Sequence, residues 1–216
     1  MMKKNGTFFL SFVDRAALKR AVWDPYAYRE KRQAETLGYF ASVHPLRAAA
    51  LPHHSFKFAP LEYRHIGRGH VPAFILEFSG VGLQSSCRGI GEGVLLFGTM
   101  RAYLGNVVVT PRAEWIGEQS PFVFAVKSEF VQIEPKDGLV YFWWAYLQTQ
   151  SFLHSLPIGS GGTRPRLHAS ALSQTPVEVP TKNIRETLHK EIEAFAASVW
   201  SQYMATERLL ENTLGL

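Results

Sequence analysis

From Asn183 to Leu214 the sequence contains neither proline nor glycine. An uninterrupted stretch of this kind reads as one helix of about 30 residues, roughly 45–50 Å long at 1.5 Å per residue. Its apolar positions are Ile184, Leu188, Ile192, Phe195, Val199, Tyr203, Leu210 and Leu214, with Thr206 filling the gap. That spacing lies close to eleven residues per three turns, which favours a nearly straight or slightly right-handed pairing. Two arrangements follow. The helix folds back on its own domain, or it projects and pairs with another chain by coiled-coil logic. A body about 30 Å across cannot cover the whole stripe, which favours projection.

The helix divides the chain into a body, residues 1–182, and a docking segment, residues 183–216. The formal charge is +5, unevenly spread: the body carries 20 Lys and Arg against 13 Asp and Glu, the docking segment 3 against 5. A basic body with a mildly acidic tail implies two surfaces with different partners, the body facing a polyanion. Hydrophobic residues make up 46% of the chain and charged residues 19%, enough to bury a sizeable core. The single cysteine, Cys87, excludes an internal disulfide and a cysteine-rich zinc site and suits a reducing cytoplasm. The apolar run from Thr7 to Val13 is too short to span a membrane and reads as a first strand rather than a signal peptide.

Within the body, Arg15–Ala21 and Tyr26–Phe40 read as helices. The pattern then breaks up from Pro45 to Gly69. Short segments rich in Val, Ile and Phe follow at Phe74–Phe78, Val94–Phe97, Asn106–Thr110, Phe122–Lys127 and Glu129–Ile133, as expected for a compact twisted sheet with short loops. Leu139–Leu156 switches to helical period, with Trp143, Leu147, Phe152 and Leu156 on one face. A glycine-rich turn, a short helix at His168–Ser173 and Val177-Glu178-Val179-Pro180 lead into the long helix.

Catalytic and cofactor signatures are missing from the sequence. Gly89-Ile90-Gly91-Glu92-Gly93 lacks dinucleotide-loop spacing and reads as a turn, and Gly159-Ser160-Gly161-Gly162 lacks the Gly-Lys-Ser/Thr of a P-loop. No Gly-x-Ser-x-Gly elbow is present. His53-His54, His65 and His70 show no metal-ligand spacing. Asp24-Pro25-Tyr26 is similar to the adenine-methyltransferase motif but lacks its second proline. A non-catalytic chain with no cofactor and no metal is expected.

Two stretches together resemble the specificity subunit of type I restriction-modification systems. The first is Ser85-Ser86-Cys87-Arg88 followed by Glu92-Gly93-Val94-Leu95-Leu96-Phe97-Gly98-Thr99-Met100-Arg101-Ala102-Tyr103-Leu104-Gly105-Asn106, with Val94 where the family pattern has Asp and Ala102 where it has Pro. The second runs from a helix ending near Phe152-Leu153 through Gly159-Ser160-Gly161-Gly162-Thr163-Arg164-Pro165-Arg166-Leu167, then Ala171-Leu172 and Val177-Glu178-Val179-Pro180, into the long helix. The likeness covers residues 60–216. It implies an α+β fold: a target-recognition domain with a small, twisted, mostly antiparallel sheet and flanking helices, followed by the long helix. It implies one domain and one helix where the family has two of each, a half-subunit that pairs antiparallel with its own copy as a homodimer. The implied partners are double-stranded DNA, a modification methyltransferase and the restriction (translocase) subunit.

Reading DNA takes side chains that reach base edges, and phosphate contacts that set register. Loops around the sheet offer Arg64, Arg68, Ser85, Ser86, Arg88, Arg101 and Lys127, and the glycine-rich turn offers Thr163, Arg164 and Arg166. The ordinary alternative for each arginine is a solvated charge or an intramolecular ion pair, with Arg101 the most structural of them. Tyr103, Trp143 and Trp144 read as core. The altered Val94 and Ala102 positions keep open a scaffold subunit whose recognition surface no longer reads.

Overall fold

The computed structural model describes residues 35–48, 57–66, 86–117, 122–161 and 163–214, apart from the side chains of residues 207, 211 and 214. The expected helix at Arg15–Ala21, most of that at Tyr26–Phe40, the strand at Phe74–Phe78, and Arg68, Ser85 and the Leu214 side chain lie outside the described residues. Glu35–Leu216 form one compact unit.

Its elements are α1 (Leu37–Phe40), β1 (Ala41–Pro45), β2 (Lys57–Leu61), β3 (Cys87–Ile90), β4 (Leu95–Gly98), β5 (Val107–Val109), α2 (Ala113–Ile116), β6 (Phe122–Lys127), β7 (Phe130–Pro135), α3 (Val140–Tyr146), α4 (Gln150–Ser155), α5 (Ala169–Ser173) and α6 (Lys182–Leu214), with one-turn 3-10 helices at Tyr63–His65 and Ala102–Leu104. The α+β class and the long final helix are as the sequence implies. The sheet is two sheets, however. One is antiparallel, in the order β1-β7-β4-β5; the other, β2-β6-β3, joins β2 to β6 in parallel and β3 to β6 antiparallel.

The apolar runs explain the layering. Side chains alternate faces along a strand. Leu95 and Phe97 of β4 enter a first core with Val107, Val109, Val131 and Ile133, while Leu96, Val108 and Phe130 enter a second. The four-stranded sheet is therefore covered on both faces, and such strands read as continuous apolar runs rather than alternating ones. Helices α3, α4 and α5 line the first core; the three-stranded sheet closes the second through Ala59, Leu61, Ile90, Phe124 and Val126.

Three strands fall where none is expected. β1 begins directly after the single turn of α1, and its terminal Pro45 is tolerated because β1 is an edge strand. β2 carries Pro60 inside it and lies at the edge of its sheet for the same reason. β3 takes Gly89 and Ile90 out of the expected turn, which shrinks to Glu92-Gly93, with Gly93 at φ +69°. Thr110 holds that turn: it accepts from Val94 N–H at 2.9 Å and donates to the Gly91 carbonyl at 2.8 Å. Val94 thus needs no carboxylate to close it.

The single helix expected over Leu139–Leu156 is two. Thr149 has extended backbone, and its hydroxyl accepts from Phe152 N–H at 3.3 Å, capping a new helix where the first one ends. Trp143, Leu147 and Phe152 are buried as expected.

Helix α6 has 33 residues and bridges the two cores. Leu188, Ile192 and Ala196 pack on the first, Trp200, Tyr203 and Met204 on the second. Polar contacts fix its first half. Arg185 donates to Asp137 Oδ2 at 3.2 Å through Nε, with Nη2 3.1 Å from the same oxygen, in a nearly buried pair. Tyr141 N–H, near the start of α3, donates to His189 Nδ1 at 3.2 Å, and Arg112 pairs with Glu193. Much of the apolar stripe is therefore used at home. Leu188, Ile192, Val199 and Tyr203 are half-buried, whereas Ile184, Phe195, Leu209 and Leu210 face outward.

Candidate nucleic-acid interface

The glycine-rich turn is a tight hairpin. Ser160 and Arg166 exchange backbone hydrogen bonds of 2.9 and 2.8 Å. A side chain at Gly159 would meet the Arg166 backbone at 2.9 Å, so only glycine fits there. The other edge of the hairpin docks on the chain after β4: Arg101 N–H donates to the Pro165 carbonyl and Leu167 N–H to the Thr99 carbonyl, each at 2.9 Å. Met100, Arg166 and Ser160 thereby lie side by side in a three-ply ribbon. Thr163 and Arg164 sit exposed at its tip.

Arg101 has φ +51° and ψ 50°, the left-handed conformation that disfavours a side chain by roughly 1–2 kcal/mol. It opens the 3-10 turn Ala102–Leu104, which Gly105 closes at φ +65°. Ala102, where the family pattern has proline, is buried at the base of this turn. Tyr103 is 59% exposed, against the expectation that it belongs to the core: the turn points it outward between the two left-handed residues. Trp143 and Trp144 are core as expected.

Beneath the ribbon lies a polar hub that sequence reasoning missed. The Glu129 carbonyl accepts from the Tyr63 hydroxyl, from Thr99 N–H and from the Thr99 hydroxyl, each at 2.8 Å. Tyr63 accepts from Met100 N–H at 3.1 Å and stacks on Phe130 with centroids 4.8 Å apart. Burial pushes the Tyr63 pKa up to about 12, so it keeps the proton it donates. Its ring lies where a side chain at position 98 would go, which requires Gly98.

Two carboxylates organise the basic side chains. Glu62 takes Lys127 Nζ at 2.9 Å and lies 3.3 Å from Arg64 Nε, and Arg64 Nε also donates to His65 Nε2 at 3.1 Å. The Lys127 hydrogen bond holds the Glu62 carboxyl below the usual glutamate range and raises the lysine in return. The Glu129 side chain lies 3.7 Å from Arg166 Nη2. Glu62, Tyr63, Arg64, Lys127 and Glu129 line one open cleft. Next to the cleft, β3 sets Cys87 opposite Lys127, and Ser86 and Arg88, its neighbours in sequence, are exposed. Arg64, Lys127 and Arg166, far apart in sequence, are thus gathered by two carboxylates on one cleft, and Arg101 and Arg164 belong to the ribbon that carries Arg166, while Arg88 stands exposed on β3. Glu62 and Glu129 carried no sequence signal, because an isolated glutamate in a loop reads as solvated. Among the described residues no cluster of three or more His, Cys, Asp or Glu is placed to hold a metal ion, and no helix is long and apolar enough to cross a membrane.

No protein-family model matches the sequence, and no curated protein matches it. Solved structures do match the fold. The HsdS subunit from Thermoanaerobacter tengcongensis superposes with a TM-score of 0.52 at 15% identity, over 82% of this chain and 45% of that one. A chain from a structural study of complex assembly and conformational transition of the type I R-M system superposes at TM-score 0.45 and 12% identity, over 91% of this chain and 47% of its own. The fold is thus that of a mixed-sheet domain carried on a long helix, similar to HsdS. The present chain spans about half the length of the HsdS subunit it matches.

Proposed function

We propose that the chain reads a duplex DNA sequence without acting on it chemically, as half of a type I restriction-modification specificity unit in the cytoplasm. In this reading the cleft and the hairpin face DNA. The outward face of α6, with Ile184, Phe195, Leu209 and Leu210, pairs with a second copy and helps seat a modification methyltransferase; a restriction subunit completes the assembly. The observation that carries the reading is the convergence of basic side chains from three separate segments, Arg64, Lys127 and Arg166, on the carboxylates of one cleft, the last of them carried by a glycine-pinned hairpin. The HsdS-like fold adds support, and in this reading pairing of two copies would restore roughly the length of that subunit.

Duplex binding measured across salt concentrations tests this. Each phosphate contact contributes close to one unit of log–log slope. Replacing exposed Arg88 and Arg164 with Ala is expected to lower the slope by about two units while leaving the melting temperature unchanged. The ion pairs that Glu62 and Glu129 make with the basic residues favour a second reading, a scaffold whose surface no longer binds nucleic acid. Absence of salt-dependent duplex binding would establish that one instead.

A further inference from the structure

We propose that Arg166 and Glu129 act together as one reading unit for a G·C base pair in the major groove. The inference rests on the DNA-reading function above and assigns chemistry within it.

The two carboxylates of the cleft are used differently. Glu62 is committed: Lys127 sits on it at hydrogen-bond distance and Arg64 flanks it. Glu129 and Arg166 stand 3.7 Å apart, beyond a hydrogen bond, so charge orients the guanidinium without using its N–H donors. The Arg166 side chain is 54% exposed and that of Glu129 31%, so both reach solvent.

Both residues stand on unusually fixed backbone. Arg166 is the middle ply of the ribbon, bonded to Ser160 on one edge and aligned with Met100 on the other. The Glu129 carbonyl is held by three donors. A side chain that only neutralises phosphate needs no such placement, whereas reading a base edge demands it. A carboxylate beside the arginine also repels a phosphate. Against a base pair the same neighbours are complementary. Guanine presents two acceptors, O6 and N7, which suit the guanidinium fork, and its partner cytosine presents the N4 amino donor, which suits the carboxylate.

The test is selection from a randomised duplex library with the wild-type chain, Arg166→Gln and Glu129→Gln. Both variants keep the backbone bonds of the ribbon and the hub. The wild type is expected to enrich a motif with a G·C column. Arg166→Gln should move that column toward adenine, the base glutamine pairs with, or flatten it. Glu129→Gln should relax the same column, and the other columns should stay as they are. Substituting 7-deazaguanine there, which deletes N7, should weaken the wild type by roughly 5- to 150-fold and leave Arg166→Gln unaffected. Uniform weakening across all columns with a shallower salt slope would make Arg166 a phosphate contact and overturn the proposal. So would an unchanged motif in both variants. A wild-type chain that enriches no motif would remove the DNA-reading function itself, and this inference with it.

Discussion

Trp200 tests whether the long helix is part of the folded body or an appendage to it. It is 1% exposed and lies in the second core, edge-on to Tyr203 with ring centroids 5.9 Å apart. Truncating a buried Trp to Ala generally costs about 3–5 kcal/mol, combining lost transfer energy with the cavity left behind; losing the edge-to-face ring contact falls within that range. Phe195, five positions earlier on the same helix, is 49% exposed, so Phe195→Ala should cost below about 1 kcal/mol. Urea unfolding followed by tryptophan fluorescence and far-UV circular dichroism measures both. For Trp200→Ala the midpoint should fall sharply while helix and sheet signals still vanish in one transition. The comparison is to be made at several protein concentrations, because self-association through Phe195 would add a concentration-dependent contribution. A Trp200→Ala loss under about 1 kcal/mol, or an early transition in which helix signal alone disappears, would refute the claim that α6 is built into both cores.

Two further outcomes follow from the same helix. Phe195→Glu with Leu209→Glu, both on outward-facing side chains, should yield folded monomers by sedimentation if copies pair through this face; an unchanged oligomer would exclude the face. His189 has its pKa held below the ordinary 6.5, chiefly by burial, and its Nδ1 must stay unprotonated to accept from Tyr141 N–H. The unfolded chain therefore binds the extra proton first, so stability should fall as pH drops below 6.5 toward the folded-state value, and His189→Gln should flatten that dependence in melts taken across the range.

The groups facing His189 define what that titration reports. Glu193 on its own helix draws the proton toward the ring, as does Asp137 before α3, while Arg112 before α2 opposes it. Burial outweighs the carboxylates, which keeps the ring an acceptor at neutral pH.

What the sequence makes legible is local. The bounds of β6 agree with those expected from its run of Phe and Val, and α6 starts within one residue of the expected place, because absence of Pro and Gly over so long a span leaves few alternatives. The short helix α5 is likewise visible, with His168 its flanking cap. Edge strands were harder. Pro60 inside β2 argues against a strand until β2 is known to pair on one side only. Which face of α6 is covered depends on where two cores end, and no periodicity in the helix itself encodes that. The basic candidates could be named, but their grouping depends on Glu62, Tyr63 and Glu129, which act through tertiary placement alone.

Arg101 stands where the backbone would rather have glycine. The turn it opens could be relaxed by one substitution, Arg101→Gly, that removes roughly 1–2 kcal/mol of conformational opposition and a cation with it. For every arginine codon that change is a single nucleotide away. Selection for folding alone should drift toward it and, under the DNA-reading function proposed above, selection for binding should resist it, since stabilising changes are readily found wherever function does not forbid them. A population of variants evolved under heat, and another evolved under a demand for duplex binding, should part company at this one position. The left-handed turn therefore works as a register of which demand the chain has been answering.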